Sequence, residues 1–420
     1  MSFPRKVYEF LKEGSVAYAK WDYENSMSII RNRKKLLVLF VLLLPILFVI
    51  IAEAADMIGG KTAYSPAHYS TTVFIVSIAI GLGAGLITGC IGAGGGFIIT
   101  PALMAAGVKG IMAVGTDVFH IFAKAIMGTT VHKKLGNVSV ALAVVFVIGS
   151  SIGATVGGYI NRAVYDIDPA LSDAFISLVY AFLLGFLGVY AMYDYLKLRK
   201  SGAVVSAHDG GEPAKGPATT TGVALKLQSI KIPPIVAFDY DIVPGGRKLP
   251  AFVVAMGGFI VGVAAAIMGV GGGFITFPMF VYIFGISTMT TVGTDILQII
   301  FTAGYASITQ YAIYGYVFYT LAMGMLLGSL IGIQVGALTT KVVRGLDIRG
   351  FYAITILAGF ANRITVLPKK LGELGYIKVA SGTANVIEQI GFWIFWVIIA
   401  FFGVWLFAKF FGNLKALREE

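Results

Sequence analysis

Charged residues are scarce in this sequence, which excludes an ordinary soluble domain. Asp, Glu, Lys and Arg make up 13% of the 420 residues, against about 25% in soluble globular proteins. Hydrophobic residues make up 57%, and apolar runs of roughly the length of a membrane-spanning helix recur along the chain. The composition therefore predicts an all-α integral membrane protein, because a helix satisfies its own backbone hydrogen bonds in lipid.

The sequence also lacks the residue patterns of enzymes and metal centres. Its single cysteine, Cys90, excludes a disulfide within the chain. There is no H-E-x-x-H or G-x-S-x-G motif and no Cys/His cluster with metal-ligand spacing. The segment from Gly89 to Gly96 lacks the Lys-Ser/Thr ending of a nucleotide-binding P-loop. We therefore expect no enzymatic activity, no cofactor and no metal ion. Nucleic-acid binding is not expected either, because the sequence has no soluble domain with a basic surface patch.

Glycine is abundant instead, and its pattern occurs twice. Residues 92–101 read GAGGGFIITP and residues 269–278 read GVGGGFITFP. A V-G-T-D motif follows each at 114–117 and 292–295, and the offset between the copies drifts only from 177 to 179 residues. Each copy then carries glycines spaced four apart: Gly149, Gly153 and Gly157, and Gly328, Gly332 and Gly336. Duplicated apolar segments that glycine interrupts are typical of a transporter site between two repeats.

The alternation of apolar and polar segments predicts five parts. Residues 1–70 hold a basic amphipathic stretch, which we expect to lie at the membrane interface, and a first span at 36–54. Residues 71–197 form the first repeat, and residues 250–411 form the second repeat with C-terminal spans. The polar residues 198–249 between them predict a cytoplasmic linker or mini-domain, and residues 412–420 a cytoplasmic tail.

Two topologies fit the apolar segments. Residues 71–91 and 251–270 either cross the membrane fully, or each forms a hairpin with the short segment after its glycines. The hairpin topology gives about eight full spans plus two hairpins and places 24 of the 32 Lys and Arg on the cytoplasmic side. Equivalent loops of the two copies have opposite charge bias, which favours inverted repeats. We therefore predict a multi-pass protein of the cell (inner) membrane with both termini cytoplasmic.

The glycine runs predict a substrate site. Glycine lets a ligand approach the backbone closely, and a helix that starts at Phe97 or Phe274 directs unpaired N–H groups from its positive end, where an anion binds well. The alternative is that the glycines only permit close helix packing. The candidate ligands are Gly94, Gly95, Gly96 and Phe97 in the first copy, and Gly271, Gly272, Gly273 and Phe274 in the second.

A polar stripe follows each glycine run. Asp117, His120 and Lys124 share one helix face in the first copy, and ionisable residues inside a span are typical of functional sites. We expect substrate contacts from Thr116, Lys124, Thr294 and Gln298, and binding of a coupling proton or cation by Asp117, His120 and Asp295. The alternatives are helix capping by each Thr-Asp pair, and a structural ion pair between Asp117 and Lys124 that His120 bridges.

Two further patterns have simpler interpretations. The glycines spaced four apart predict packing faces for neighbouring helices. Asn362 and Arg363 lie near the end of an apolar segment, and we expect them at the membrane interface.

Taken together, these motifs resemble the TauE/SafE family of membrane permeases, which are associated with sulfite and organosulfonate export. The resemblance covers residues 71–197 and 250–411 and includes Gly136-Asn137-Val138 after a basic loop, where the second copy departs with Gly315-Tyr316-Val317. It implies a secondary transporter of small sulfur-containing anions such as sulfite, sulfate or organosulfonates. The expected partners are that anion, membrane lipid, a proton or Na⁺, and a second copy in a homodimer. The alternative is a non-transporting membrane assembly or sensor protein.

Overall fold

The structure is a computed structural model that describes residues 71–91, 95–134, 139–201, 222–239, 246–339 and 342–413. The first repeat is a series of five helices. They are α1 (Thr71–Ile91), α2 (Gly96–Ala105), α3 (Gly110–Lys134), α4 (Val140–Ile167) and α5 (Pro169–Ser201). The predicted interfacial stretch and first span, at residues 1–54, lie outside the described residues.

The segment between the repeats contains a small folded unit. It comprises α6 (Gly222–Ser229) and two antiparallel strands, β1 (Ile235–Phe238) and β2 (Arg247–Pro250), with Ile235 opposite Pro250. Val236, Phe238 and Leu249 are buried in one apolar cluster with Leu142 and Phe146 of α4. The described part of 198–249 therefore contains a small folded unit, the mini-domain, that packs on the helices.

The second repeat follows the order of the first with two π-helical interruptions. Its helices are α7 (Ala251–Met268), α8 (Gly273–Pro278), α9 (Thr288–Ala306), α10 (Tyr319–Thr339), α11 (Gly345–Glu373) and α12 (Ser381–Gly412). A π-helical turn at Met279–Phe284 extends α8, and another at Ser307–Tyr311, followed by a 3₁₀ turn at Ala312–Tyr314, extends α9. The protein is therefore an all-α integral membrane protein with one short sheet among its described residues.

Eight of the described helices are long and apolar enough to cross a membrane. The number equals the expected one, but the set differs. It includes α1 and α7, which the hairpin topology treats as hairpin arms. The expected span at 36–54 and the side chains at the C-terminal end of α3 lie outside the described residues, so these two expected spans are not tested.

The glycine strings pack each repeat against the first helix of the other. A methyl group at Gly153 of α4 would overlap the main-chain carbonyl of Phe259 in α7, and one at Gly332 of α10 would overlap that of Leu82 in α1. The flanking glycines of each string meet the same partner helix one turn away in either direction. Only glycine allows two backbones to approach this closely, and the strings are therefore packing faces, as predicted.

The order of these contacts shows the direction of each repeat. Positions rise together along α1 with α10 and along α4 with α7, so each pair is parallel. Thr116 contacts Phe318, and His120 contacts Ser329, so α3 also runs parallel to α10. The connection between α3 and α4 spans only residues 135–139, which makes these two helices antiparallel. The equivalent helices α1 and α7 therefore point in opposite directions, as expected for inverted repeats.

Candidate functional site

An aspartate from outside each V-G-T-D helix holds the start of that helix. The Gly110 amide of α3 donates to Asp173 Oδ1 of α5 at 2.7 Å. At α9, the amide and hydroxyl of Ser287 donate to Asp239 of the mini-domain at 2.9 and 2.8 Å. A carboxylate is stabilised at a helix N-terminus by the helix dipole, so both central helices are fixed at equivalent points.

The Thr-Asp pairs themselves lie inside their helices, and the expectation that they stand at a helix start was wrong. Because α3 begins at Gly110 and α9 at Thr288, each pair lies about two turns further on. Thr116 Oγ1 accepts from the Phe318 amide at 3.0 Å, and Thr294 Oγ1 accepts from the Ser139 amide at 3.0 Å. Each buried hydroxyl thus caps the chain entering the glycine-string helix of the opposite repeat, and its contact with substrate stays a prediction.

Asp117 and His120 form a buried pair with unsatisfied atoms. Asp117 Oδ2 accepts a hydrogen bond from Thr100 of α2 at 2.9 Å, whereas its Oδ1 lies 3.8 Å from His120 Nδ1. Both side chains are 0% exposed, and neither Oδ1 nor Nδ1 has a hydrogen-bond partner. Buried polar atoms normally have partners, and here two unpartnered atoms of ionisable side chains face each other.

The other ring nitrogen of His120 fixes where a proton can lie. Ser329 Oγ donates its single proton to the Gly81 carbonyl at 3.1 Å, so it must accept from His120 Nε2 at 2.9 Å. With Nε2 protonated, a neutral His120 presents a bare Nδ1 to Asp117. The gap between Nδ1 and Oδ1 therefore holds either two facing acceptors or one shared proton.

Lys124 does not form the ion pair that we considered. Its ammonium donates to Thr88 Oγ1 of α1 at 3.3 Å, and no carboxylate among the described residues lies within 4.0 Å of it. The first copy thus keeps a cation near, but not bonded to, the Asp117–His120 pair.

The second copy replaces this arrangement with a satisfied chain of hydrogen bonds. Gln298 Nε2 donates to Asp295 Oδ1 at 2.8 Å, and Thr302 Oγ1 donates to Gln298 Oε1 at 2.9 Å. Thr302 also lies 2.6 Å from Ser150 Oγ, and Ser150 occupies the position equivalent to Ser329. Both stripes therefore end on the glycine-string helix of the opposite repeat, but only the first has unsatisfied groups and a second charge.

The two glycine runs converge on Ile121 of α3. A methyl group at Gly96 would lie 2.8 Å from Ile121 Cδ1, and one at Gly271 would lie 2.5 Å from Ile121 Cγ2. Gly271 and Gly272 have positive φ angles of 62° and 89°, which favour glycine. The half-helices α2 and α8 begin at Gly96 and Gly273, one residue before the predicted starts.

The remaining predicted glycine-run residues are packed or not described. A methyl group at Gly95 would lie 2.6 Å from the Ala84 carbonyl, and one at Gly273 would lie 3.3 Å from Asp295 Oδ2. Phe97 is buried and packs edge-on against Tyr352, with ring centroids 5.7 Å apart. Gly94 and the side chain of Phe274 lie outside the described part. The described residues of both runs are closely packed in this conformation, so a ligand reaches them only if the helices separate.

Sequence reasoning gave no site role to three buried polar residues. Arg363 is 2% exposed and Asn362 is 1% exposed. The fully buried Tyr180 donates to the Met268 carbonyl at the end of α7. Its hydroxyl also interacts electrostatically with both Asp117 and Arg363. The sequence did contain one signal: Arg363 interrupts the apolar run 350–366, where a charge is costly unless it faces a cavity.

Comparison with known proteins agrees with this architecture. The sequence pattern of the sulfite exporter TauE/SafE family matches residues 77–362. The chain is 23% identical over 272 residues to the probable membrane transporter protein YunE of Bacillus subtilis, covering 63% of this chain and 87% of that protein. It is 24% identical over 268 residues to a probable membrane transporter protein of Xylella fastidiosa, covering 63% and 84% respectively.

No solved structure is significantly similar to the chain. The family pattern spans both glycine runs, both V-G-T-D motifs and both glycine strings. The family and the relatives' names describe membrane transporters rather than enzymes. The chain is therefore a multi-pass membrane transporter that belongs to the TauE/SafE sulfite exporter family.

Proposed function

We propose that the protein is a secondary transporter of small sulfur-containing anions such as sulfite, sulfate or organosulfonates. One observation carries this: a fully buried Asp117–His120 pair and a nearby cation, Lys124, lie beside two opposed glycine-broken half-helices. The family description supports the substrate class. The protein lies in the inner membrane with both termini cytoplasmic, as the distribution of Lys and Arg indicates.

The anion binds between the half-helices when the repeats move apart. The backbone of Gly94–Phe97 and of Gly271–Phe274 offers N–H groups at the positive helix ends, and Lys124 supplies the compensating charge. Thr116, Thr294 and Gln298 line the space that opens, because they lie on the faces of α3 and α9 towards the opposite repeat. Rocking of the inverted repeats then exposes the site to each side in turn.

The proton between Asp117 and His120 couples transport to pH. When it is present, Nδ1 and Oδ1 hold a hydrogen bond that supports the closed packing, and when it leaves, two buried acceptors face each other. The other groups facing this pair are Thr100 of α2, Ser329 of α10 and the Lys124 cation. Export of an anion is assisted by about 2.3 kcal/mol per 100 mV of inside-negative potential, so only uptake requires this proton, with Asp295 as its counterpart in the second copy.

Counterflow of labelled sulfite in proteoliposomes tests the proposal. We expect Lys124→Met to reduce counterflow about tenfold or more, since a nearby cation in a poorly screened site is lost. Lys226→Met, an exposed lysine on α6, is the matched control and should leave counterflow unchanged. A non-transporting assembly or sensor protein would give no counterflow in the wild type. Equal activity of wild type and Lys124→Met would remove Lys124 from the site.

A further inference from the structure

A second polar site lies beside the C-terminal end of α2. Here a cavity of about 360 Å³ is bounded by the loop after α2, the start of α5, the C-terminal half of α11 and the first turns of α12. We call it the arginine cavity. Four cationic and two acidic side chains line it, an excess of two positive charges: Lys109, Arg363, Lys369, Lys370, Asp173 and Glu388.

Arg363 is the buried charge of this cavity, and its protein partners do not neutralise it. Nε and Nη2 both donate to Asn362 Oδ1, at 2.9 and 2.5 Å, and Nη1 donates to Met104 Sδ at 3.2 Å. A guanidinium has five N–H donors, so two of them have no partner in the described part of the chain. No carboxylate there lies within 4.0 Å of Arg363. A buried charge without a counter-charge is costly.

The two acids of the cavity are engaged by other groups. Glu388 lies 2.7 Å from Lys369 Nζ. Asp173 lies 3.4 Å from Lys370 Nζ and also accepts the Gly110 amide at the start of α3. Asp173 and Glu388 therefore act on Arg363 only from beyond 4.0 Å, because each forms its ion pair with a lysine. The cavity as a whole keeps an excess of two positive charges.

We propose that the arginine cavity binds a small soluble oxyanion, with Arg363 as its principal ligand, as a second station on the transport path. The planar guanidinium fork matches an oxyanion with two parallel hydrogen bonds, and the cavity volume lies at the small end of ligand sites, which span about 300–1,000 Å³. The role as a station rests on the proposed function, whereas the anion site itself rests on the cavity.

The position of the arginine cavity connects it to the central site. Tyr180 is an electrostatic neighbour of both Arg363 and Asp117, and its hydroxyl donates to Met268 at the edge of the second glycine run. Asp173 links the cavity wall to the first turn of α3, the helix that carries Asp117, His120 and Lys124. An anion at Arg363 that also draws on Lys370 would therefore act on the carboxylate that holds the start of α3.

Thermal unfolding of the purified full-length protein, titrated with sulfate or sulfite at constant ionic strength, measures binding without transport. A Lys124→Met background removes the central cation, so the remaining stabilisation by anion reports the arginine cavity. In that background we expect Arg363→Gln to raise the half-saturating anion concentration about tenfold or more. Arg344→Gln, an exposed arginine that pairs with Asp347 at 2.9 Å, should leave it unchanged. An unchanged concentration in Arg363→Gln overturns the proposal.

If Arg363→Gln does not fold, a second variant with the opposite expected effect on anion affinity still tests the proposal. Glu388→Gln removes an acid from the cavity and should tighten anion binding by about two- to fivefold, while Asp347→Asn should have no effect. Unchanged or weaker binding in Glu388→Gln contradicts the proposal, as does stabilisation that depends on Arg363 only with anionic lipid and not with sulfate or sulfite. Normal binding in a protein without counterflow would refute the transport function and leave the anion site standing.

Discussion

At Asp117 and His120, the protein buries two facing acceptors that one proton would satisfy. Their separation of 3.8 Å closes to a hydrogen bond with little movement once Nδ1 or Oδ1 is protonated. The equivalent position in the second copy is Gln298, whose amide donates to Asp295 without any proton exchange. The first copy therefore has a contact, Asp117–His120, that depends on a proton, whereas the second copy has a permanent hydrogen bond, Gln298–Asp295.

Replacing His120 by Gln gives the first copy the Asp-Gln pair of the second copy, whose hydrogen bond needs no added proton. We expect His120→Gln to keep sulfite counterflow but to lose most of its variation with pH, because a side-chain amide cannot gain or lose a proton near neutral pH. His208→Gln is the control, because His208 lies in the polar segment between the repeats. A wild-type pH profile in His120→Gln would show that the Asp117–His120 pair is structural.

At the scale of elements, the crossings of α4 with α7 and of α10 with α1 join the two repeats. Each crossing places three glycines against main-chain carbonyls, so helix packing there depends on the absence of a Cβ rather than on large apolar side chains. Both crossings also receive the end of a polar stripe, at Ser150 and Ser329. Movement of α3 or α9 therefore shifts side chains that contact the two helix crossings between the repeats.

A methyl group at the centre of a crossing should destabilise the protein. We expect Gly153→Ala to lower the free energy of unfolding by about 1–3 kcal/mol, the typical cost of overpacking, because the methyl group meets the carbonyl of Phe259. Gly382→Ala in α12, where nothing lies within 4 Å, is the control. Thermal unfolding in detergent measures the difference, and equal stability of the two variants would contradict the tight packing.

At the scale of the whole molecule, the two inverted repeats have the same arrangement of helices but different charged side chains. Arg363, on the second repeat, has no counterpart in the first, since the corresponding position in α5 is Leu184. The mini-domain, in turn, holds the second V-G-T-D helix through Asp239. A symmetric scaffold thus carries an asymmetric site, which a transporter with a preferred direction requires.

Cysteine labelling tests which side is which. In a Cys90→Ser background, we expect Tyr376→Cys to react with an impermeant thiol reagent in intact cells, and Lys226→Cys to react only after permeabilisation. Both positions are exposed, and Cys90 itself is buried. The expectation follows from the greater number of Lys and Arg in the segments assigned to the cytoplasm. Labelling of Lys226→Cys from outside would reverse the topology.

The sequence by itself determined the helical membrane class, the duplicated unit and the packing role of the glycine strings. These features depend on the length of apolar runs and on residue spacing, which are local properties of the sequence. They can therefore be recognised without knowing which helices contact each other. It also placed Asp117, His120 and Lys124 on one face, because i, i+3 and i+7 positions share a face of a helix.

Only the tertiary structure decided which partners these groups have. Thr116 and Thr294 bond to the opposite repeat, Lys124 bonds to Thr88 instead of Asp117, and Arg363 is almost completely buried. Each of these contacts joins residues at least 36 positions apart or depends on the burial produced by several helices together. Hydropathy and spacing describe one segment at a time, so they cannot reveal which segments meet.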